Sequence, residues 1–155
     1  RCIKYLRSTP DLALTLEADD TNSLQWWVDA SFAVHMDMRS HTGATLSLGK
    51  GGVINISTKQ KVNTDSSTTA ELVGVHDALP MVMWTRKFLG AQGYGVTDNV
   101  VYQDNQSTML LENNGRRSCG RRTRHLDIRY FYATDLVNKK EIRIEFCPTH
   151  EMLAD

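Results

Sequence analysis

Apolar and polar residues alternate with a period of two in three successive stretches of the chain, and this alternation predicts three strands in series. The stretches are residues 24–32, 42–50 and 52–60. Gly49, Gly51 and Gly52 predict a hairpin turn between the second and third strands. Residues 11–17, "DLALTLE", also alternate and predict an additional edge strand.

Apolar residues spaced three and four positions apart predict helices further along the chain. Ser66 to about Phe88 forms the first long helix, and Pro80 within it is expected to kink or split it. Its predicted inward positions are Leu72, Val75, Leu79, Val82 and Met83. A second long helix is predicted over residues 123–140, with inward positions at Ile128, Phe131, Tyr132 and Leu136.

The remaining segments complete a βββαβααβα order. Residues 99–104 and 141–149 predict two more strands, residues 105–114 a short helix, and residues 150–155 the start of a last helix. This order predicts an α/β fold with a five-stranded mixed sheet and flanking helices. Three strands form an antiparallel meander, and parallel strands reached by helical crossovers follow.

The composition is that of an ordinary globular domain of 155 residues, with 41% hydrophobic and 23% charged residues. No apolar run approaches the roughly 20 residues that span a membrane, so no membrane partner is expected. The cysteines Cys2, Cys119 and Cys147 are odd in number and widely spaced. This spacing favours a reducing intracellular compartment over a disulfide framework or a zinc site.

The formal net charge of zero argues against a protein that grips nucleic acid through overall charge. Residues 116–129 nevertheless hold six arginines. Such a run is compatible with a solvated loop and with a nucleic-acid-binding patch, and the composition leaves both open.

Four carboxylates occupy positions from which they could converge. They are Asp29 near the end of the first strand, Glu71 in the first turn of the long helix, Asp104 directly after the fourth strand, and Asp155 in the last helix. Ligands in such sheets gather beyond the carboxyl ends of the strands. Converging carboxylates repel each other, and two divalent cations would relieve this repulsion. Magnesium suits a site made of oxygen ligands.

Structural roles remain open for the same residues. Asp104 could cap the next helix, and Glu71 could complete a capping box that begins at Thr68. Gly74, Val75 and Ala78 share the helix face of Glu71, and small residues there let the helix approach the sheet.

Two histidines also have alternative roles. His150 precedes the last predicted helix and could assist protonation or product release, or be a surface residue. His125 could orient its helix or contact a substrate.

Seven motifs occur in a particular order along the chain. They are "VDAS", "R-x-x-T-G", "K-Q-K", "SST-x-AE", "DNQS", "TRHLDIRY" and "PT-x-x-x-LAD". In order and spacing they resemble the ribonuclease H domain of copia-type (Pseudoviridae) LTR-retrotransposon polyproteins, over nearly the whole chain. Residues 1–20 look like the segment that joins the reverse transcriptase to this domain, and residues 21–155 like the domain itself with a truncated last helix.

The resemblance implies a metal-dependent endonuclease that cleaves the RNA strand of RNA–DNA hybrids. The implied metal ligands are Asp29, Glu71, Asp104 and Asp155, which would bind two Mg²⁺ ions, with Mn²⁺ as a substitute. His150 is an added catalytic candidate. The candidate contacts to the hybrid are Asn105, Gln106, Ser107, Arg121, Arg122, Arg124 and His125. The implied partner is the polymerase domain of the same polyprotein, and the implied location is a cytoplasmic virus-like particle.

The sequence departs from the family pattern at Thr69, where the family usually has Glu, and at Pro80, inside a usually continuous helix. Asp155 is the final residue, although the family motif continues beyond it. His150 also lies nearer to the last Asp than the loop histidine of cellular ribonucleases H.

Two other functions compete with this interpretation. A degenerate ribonuclease H-like module would bind template–primer without cleaving it, and it would not need Asp29, Glu71 and Asp104. A transposase or integrase would place its acidic residues in the order Asp, Asp, Glu. Here Glu71 is second, which favours a ribonuclease H.

Overall fold

The computed structural model describes residues 2–19, 22–114 and 127–155, without the side chains of residues 127–130. The helices are α1 (Cys2–Ser8), α2 (Ser67–Ala91), α3 (Gln106–Asn114) and α4 (Asp127–Asn138). The strands are β1 (Glu17–Ala18), β2 (Ser23–Ser31), β3 (His41–Ser47), β4 (Gly49–Lys50), β5 (Gly52–Lys59), β6 (Asp98–Gln103) and β7 (Arg143–Phe146).

The main sheet has five strands in the order β5-β3-β2-β6-β7. Strands β5, β3 and β2 are antiparallel, whereas β6 pairs parallel to β2 and β7 parallel to β6. The predicted mixed sheet, an antiparallel meander followed by parallel strands, is therefore confirmed. Among the described residues, no helix is both long and apolar enough to cross a membrane.

Strand β2 separates the two faces of the sheet by strict alternation. Leu24, Trp26 and Val28 are buried against the helices, together with Ala30. Trp27 and Asp29 alternate with them and are half-buried on the other face. The alternation therefore holds Asp29 away from the apolar core while keeping it at the end of a central strand.

Helix α2 is continuous across Pro80, so the predicted split there is wrong. Proline removes one backbone hydrogen bond, but Leu79 and Val82 on either side are fully buried. Core packing on both sides thus outweighs the local cost. The predicted inward positions of α2 are all buried.

Three other predictions differ from the structure. The alternating segment 11–17 contributes only Glu17–Ala18, which pairs with β4 rather than with the main sheet. In α4, the predicted inward residues Phe131 and Tyr132 are each 39% exposed. Leu136 is buried as predicted, and Ala133 is buried as well. Residues 150–155 do not form a helix; a 3-10 turn spans Thr149–Glu151. Met152 directly after this turn has extended backbone, with ψ at 104°, so the helical conformation ends there.

The C-terminal segment crosses the sheet at Gly43 of β3. Gly43 pairs with Asp29, and a Cβ atom added to Gly43 would lie 2.5 Å from the carbonyl oxygen of Ala154. Only a residue without a side chain leaves room for this crossing. The "T-G" of the "R-x-x-T-G" motif therefore has a packing role beside the carboxylate end of β2.

We expect Gly43→Ala to destabilise the protein by about 1–3 kcal/mol, because the added methyl group meets backbone that cannot move aside cheaply. Gly90→Ala is the matched control. Gly90 lies within α2 with no atom within 4 Å of an added Cβ, so this change should stabilise the helix by about 0.5–1 kcal/mol. Urea unfolding measures both variants. Equal stability of wild type and Gly43→Ala would contradict the crossing at this position.

Candidate metal centre

Three carboxylates from three separate elements meet at one edge of the sheet. Asp29 lies near the end of β2, Asp104 directly after β6, and Glu71 in the second turn of α2. Each residue offers one carboxylate oxygen, and these atoms all lie within 4.8 Å of one another. Trp27 pairs with Tyr102 in the parallel β2–β6 ladder, so Asp29 and Asp104 follow at equivalent positions two residues later.

Glu71 is the buried member of this acidic group, with 5% of its surface exposed. Its Oε1 accepts a hydrogen bond of 3.2 Å from the backbone N–H of Ala30, and its Oε2 is buried without a partner. The capping-box alternative is wrong, because Ser66 caps α2 by accepting from the N–H of Thr69. The Glu71 side chain is thus directed at the sheet rather than at its own helix end.

The electrostatics of the acidic group are unfavourable without a cation. Burial, the larger cause, and the negative charge of Asp29 raise the pKa of Glu71 to about 8. Burial is the main cause that raises the pKa of Asp29. The negative charge of Asp104 raises it further, and so does the charge of Asp155. A group of oxygen ligands with an unpartnered buried oxygen and raised pKa values fits a divalent cation such as Mg²⁺.

Asp155 lies near the acidic group without joining it. Its charge acts on Asp29, but it is not one of the three residues whose oxygens lie within 4.8 Å of each other. His150 is exposed in the preceding turn, and its Nε2 lies 3.4 Å from the Glu151 carboxylate. The adjacent Thr149 is the residue that reaches the site: its hydroxyl donates a hydrogen bond of 2.8 Å to Asp104 Oδ2.

The predicted contacts to nucleic acid divide into two sets. Asn105 directly precedes α3, and its Oδ1 accepts a hydrogen bond from the N–H of Thr108, so Asn105 rather than Asp104 caps this helix. Gln106 and Ser107 are exposed in the first turn of α3. The remaining four predicted contacts lie outside the described residues: Arg121, Arg122, Arg124 and His125.

Two buried polar side chains near the acidic group were not predicted from the sequence. Glu112 on α3 and Gln103 on β6 have no exposed surface, and their side-chain oxygen and nitrogen atoms lack hydrogen-bond partners. Burial and then the charge of Glu71 raise the pKa of Glu112 far above its usual range. Glu112 lies four residues after Thr108, so the two share the buried face of α3, and this burial is visible only in the structure.

Comparison with known proteins identifies relatives of the whole chain. It is 30% identical over 154 residues, 99% of its length, to the Retrovirus-related Pol polyprotein from transposon TNT 1-94 of Nicotiana tabacum. It is 32% identical over 158 residues to the corresponding polyprotein from transposon RE1 of Arabidopsis thaliana. The chain is homologous to one segment of copia-type Pol polyproteins. It spans 11% of the length of these relatives, and no protein-family model matches it.

Solved structures confirm the ribonuclease H fold of this chain. LC11-RNase H1, isolated from compost, superposes with a TM-score of 0.61 at 11% identity, covering 83% of this chain and 86% of that protein. RNase H1 of Halobacterium salinarum gives 0.53 at 16% identity, covering 85% and 90%. LC11-RNase H1 in complex with an RNA/DNA hybrid gives 0.59 at 9% identity, covering 84% and 89%.

The raised pKa of Glu71 predicts that the metal-free protein loses stability as pH rises from about 5 to 8. Over this range the unfolded chain has released the Glu71 proton, but the folded chain still holds it. Each pH unit then costs up to about 1.4 kcal/mol. Glu71→Gln should reduce this slope, measured by thermal unfolding in EDTA. The exposed Glu151→Gln is the control, and equal slopes in Glu71→Gln and wild type would contradict the assignment.

Glu112→Gln should stabilise the protein at pH 8 and change little at pH 4. Burial raises the pKa of Glu112 in the folded state, so unfolding at high pH releases a proton that glutamine does not carry. Glu112→Gln should therefore unfold at a higher temperature than wild type at pH 8. Thermal unfolding at both pH values, with Glu151→Gln as control, measures it. The same gain at pH 4 and pH 8 would show that packing, rather than charge, causes the effect.

Proposed function

We propose that this chain is a divalent-metal-dependent endonuclease that hydrolyses the RNA strand of RNA–DNA hybrids during retrotransposon reverse transcription. One observation carries the proposal: three carboxylates from different elements converge within 4.8 Å, and one has an unpartnered buried oxygen. The ribonuclease H fold supports it. The hybrid bound to LC11-RNase H1 in the solved complex supports this substrate class.

In this proposal Asp29, Glu71 and Asp104 hold two Mg²⁺ ions, with Asp155 as the fourth ligand and Mn²⁺ as a substitute. Two such metal ions, when bound, would activate the attacking water and neutralise charge on the scissile phosphate. The protein supplies the geometry. The Ala30 N–H fixes one oxygen of Glu71, and the Thr149 hydroxyl fixes one oxygen of Asp104.

His150 is proposed to assist protonation or product release. Its exposed side chain next to Thr149 is free to approach a bound substrate. Gln106 and Ser107 are proposed to contact the hybrid backbone or the 2′-OH that distinguishes RNA from DNA. Asn105 joins them through its position beside Asp104, although its side chain caps α3.

The arginine-rich run is proposed to bind phosphates of the hybrid through Arg121, Arg122 and Arg124, with His125 beside them. A neutral chain with a local basic run concentrates its attraction for nucleic acid at one place. The proposed partner protein is the polymerase domain of the same polyprotein, within a cytoplasmic virus-like particle. Free thiols at Cys2 and Cys147 suit that reducing compartment.

Asp104→Asn should abolish cleavage of an RNA–DNA hybrid while leaving the fold intact, because it removes a ligand charge without changing size. We expect a loss of at least about a hundredfold, as for a displaced catalytic group. Single-turnover cleavage of a labelled hybrid in Mg²⁺ or Mn²⁺ measures the rate, with single-stranded RNA and duplex DNA as comparison substrates. Asp77→Asn, at an exposed position of α2, is the matched control.

Melting temperature and hybrid cleavage together distinguish a nuclease from a module that only binds the hybrid. Mg²⁺ should also raise the melting temperature of wild type and raise that of Asp104→Asn less, since the metal binds the folded site. A wild-type protein that binds hybrid without cleaving it would be the degenerate template–primer module. An Asp104→Asn variant that cleaves at the wild-type rate would rule out the assigned ligand set.

A further inference from the structure

Two histidine side chains meet outside the acidic group. His35 lies in the loop between β2 and β3, and His41 is the first residue of β3. The Nε2 atom of His35 lies 3.0 Å from the Nδ1 atom of His41. The ring centroids are 5.2 Å apart, and the ring planes are tilted by 45° rather than stacked. The two imidazoles therefore direct nitrogen atoms at each other.

The histidine pair lies on the same face of the sheet as Asp29. His41 pairs with Ser31, and Gly43 pairs with Asp29. Residues two positions apart on a strand share a face and are separated by about 7 Å along it. The histidine pair is thus close to the acidic group, but it belongs to different residues.

The second ring nitrogen of His41 has a partner of its own. Its Nε2 atom lies 2.8 Å from the hydroxyl oxygen of Ser57 on β5. A histidine that binds a metal ion through one ring nitrogen almost always makes a hydrogen bond through the other, which sets the tautomer and the ring orientation. Ser57 can serve this purpose, and it leaves Nδ1 of His41 as the nitrogen that a metal ion would use.

The loop that carries His35 is held in place at several points. The N–H of His35 donates to the carbonyl oxygen of Arg39 at 3.1 Å, and the N–H of Met38 donates to the carbonyl oxygen of His35 at 2.8 Å. The Asp37 carboxylate lies 2.6 Å from the Lys59 ammonium group and ties the loop to β5. Ordering His35 against His41 is therefore achieved by the protein before any ligand binds.

The spacing of the two nitrogens suits a tetrahedral metal ion. Zinc–nitrogen bonds of about 2.0–2.1 Å at a tetrahedral angle separate the two nitrogens by about 3.3 Å. The observed 3.0 Å needs only a small widening. Imidazole nitrogen is a ligand for Zn²⁺, Cu²⁺ and Ni²⁺, whereas Mg²⁺ prefers oxygen.

Metal binding requires no net loss of a proton from the neutral pair. In the hydrogen-bonded pair, one ring donates and the other accepts, so a single proton lies between the two nitrogens. An ion that takes this place displaces the proton to the other nitrogen of the same ring. If that ring is His41, the Ser57 hydroxyl turns to accept the proton.

We propose that His35 Nε2 and His41 Nδ1 bind a divalent transition-metal ion, with Zn²⁺ strongly preferred over Mg²⁺. Within the described part of the chain, the acidic group is the only set of three or more potential metal ligands of the His, Cys, Asp or Glu type. Two histidines thus hold the ion, and water fills the remaining coordination positions. The inference does not rest on the proposed nuclease function.

The test is calorimetric titration of the 155-residue chain with Zn²⁺ in millimolar Mg²⁺, which occupies oxygen sites but does not compete for imidazole. The Asp104→Asn variant should bind Zn²⁺ at this site as wild type does. Nitrogen-15 NMR of the imidazole rings should show Zn²⁺ shifting Nε2 of His35 and Nδ1 of His41. Mg²⁺ alone should leave both signals unchanged.

Substitutions of the pair and of its neighbour separate ligands from support. His35→Gln and His41→Gln should each weaken Zn²⁺ binding at least about tenfold, and Ser57→Ala about tenfold through loss of the hydrogen bond that orients His41. The matched control is His76→Gln, at a histidine of α2 that is not part of the pair, and it should bind Zn²⁺ as wild type does.

Two results would overturn the inference. If millimolar Zn²⁺ shifts neither imidazole signal, the histidines form only a hydrogen bond between the loop and β3. If Asp104→Asn loses Zn²⁺ binding while His35→Gln keeps it, the ion belongs to the acidic group. Hybrid cleavage by the same proteins distinguishes this inference from the nuclease proposal. A wild-type chain that binds Zn²⁺ through both histidines without cleaving the hybrid would reject the nuclease function alone.

Discussion

Repulsion between carboxylates at one edge of the sheet is the constraint on which the rest of this structure depends. Three acidic oxygens lie within 4.8 Å of each other, and Glu71 is almost fully buried. Such an arrangement forms only if the surrounding packing outweighs its cost. Gly74 helps supply that packing, since it brings α2 to the sheet: a Cβ there would already touch Ala30 and Thr42 at 3.4 Å. The Ala30 N–H then meets Glu71 directly.

The sequence predicted the parts of this arrangement that depend on periodicity. Alternation in β2 and helical spacing in α2 identified the core faces, and the position after β6 identified Asp104 as a strand-end carboxylate. These features depend on local pattern and on the general rule for carboxyl ends of strands. The four candidate ligands followed from their places in the predicted elements, and the resemblance to a family implied the same four. The structure brings Asp29, Glu71 and Asp104 together, and it leaves Asp155 nearby but outside the group.

The sequence did not predict features decided by tertiary contacts. Ser66 rather than Thr68 caps α2, and this frees Glu71 for the sheet. Thr149 reaches Asp104 across a separation of 45 residues, which no local pattern encodes. Glu112 lies on a mostly polar helix, yet α3 packs so that Glu112 is fully buried. The strand predicted over residues 11–17 is mostly absent, because alternation creates a strand only where another strand pairs with it.

The register between β2 and β6 controls whether the carboxylates meet at all. A shift of one residue would turn Asp29 towards the core, because side chains alternate between faces. Trp27 and Tyr102 oppose this shift: their rings stack at 5.2 Å with an angle of 27° between planes. They lie two residues before Asp29 and Asp104, on the same face of the sheet. The stack therefore fixes the register immediately before the point where two like charges would otherwise push the strands apart.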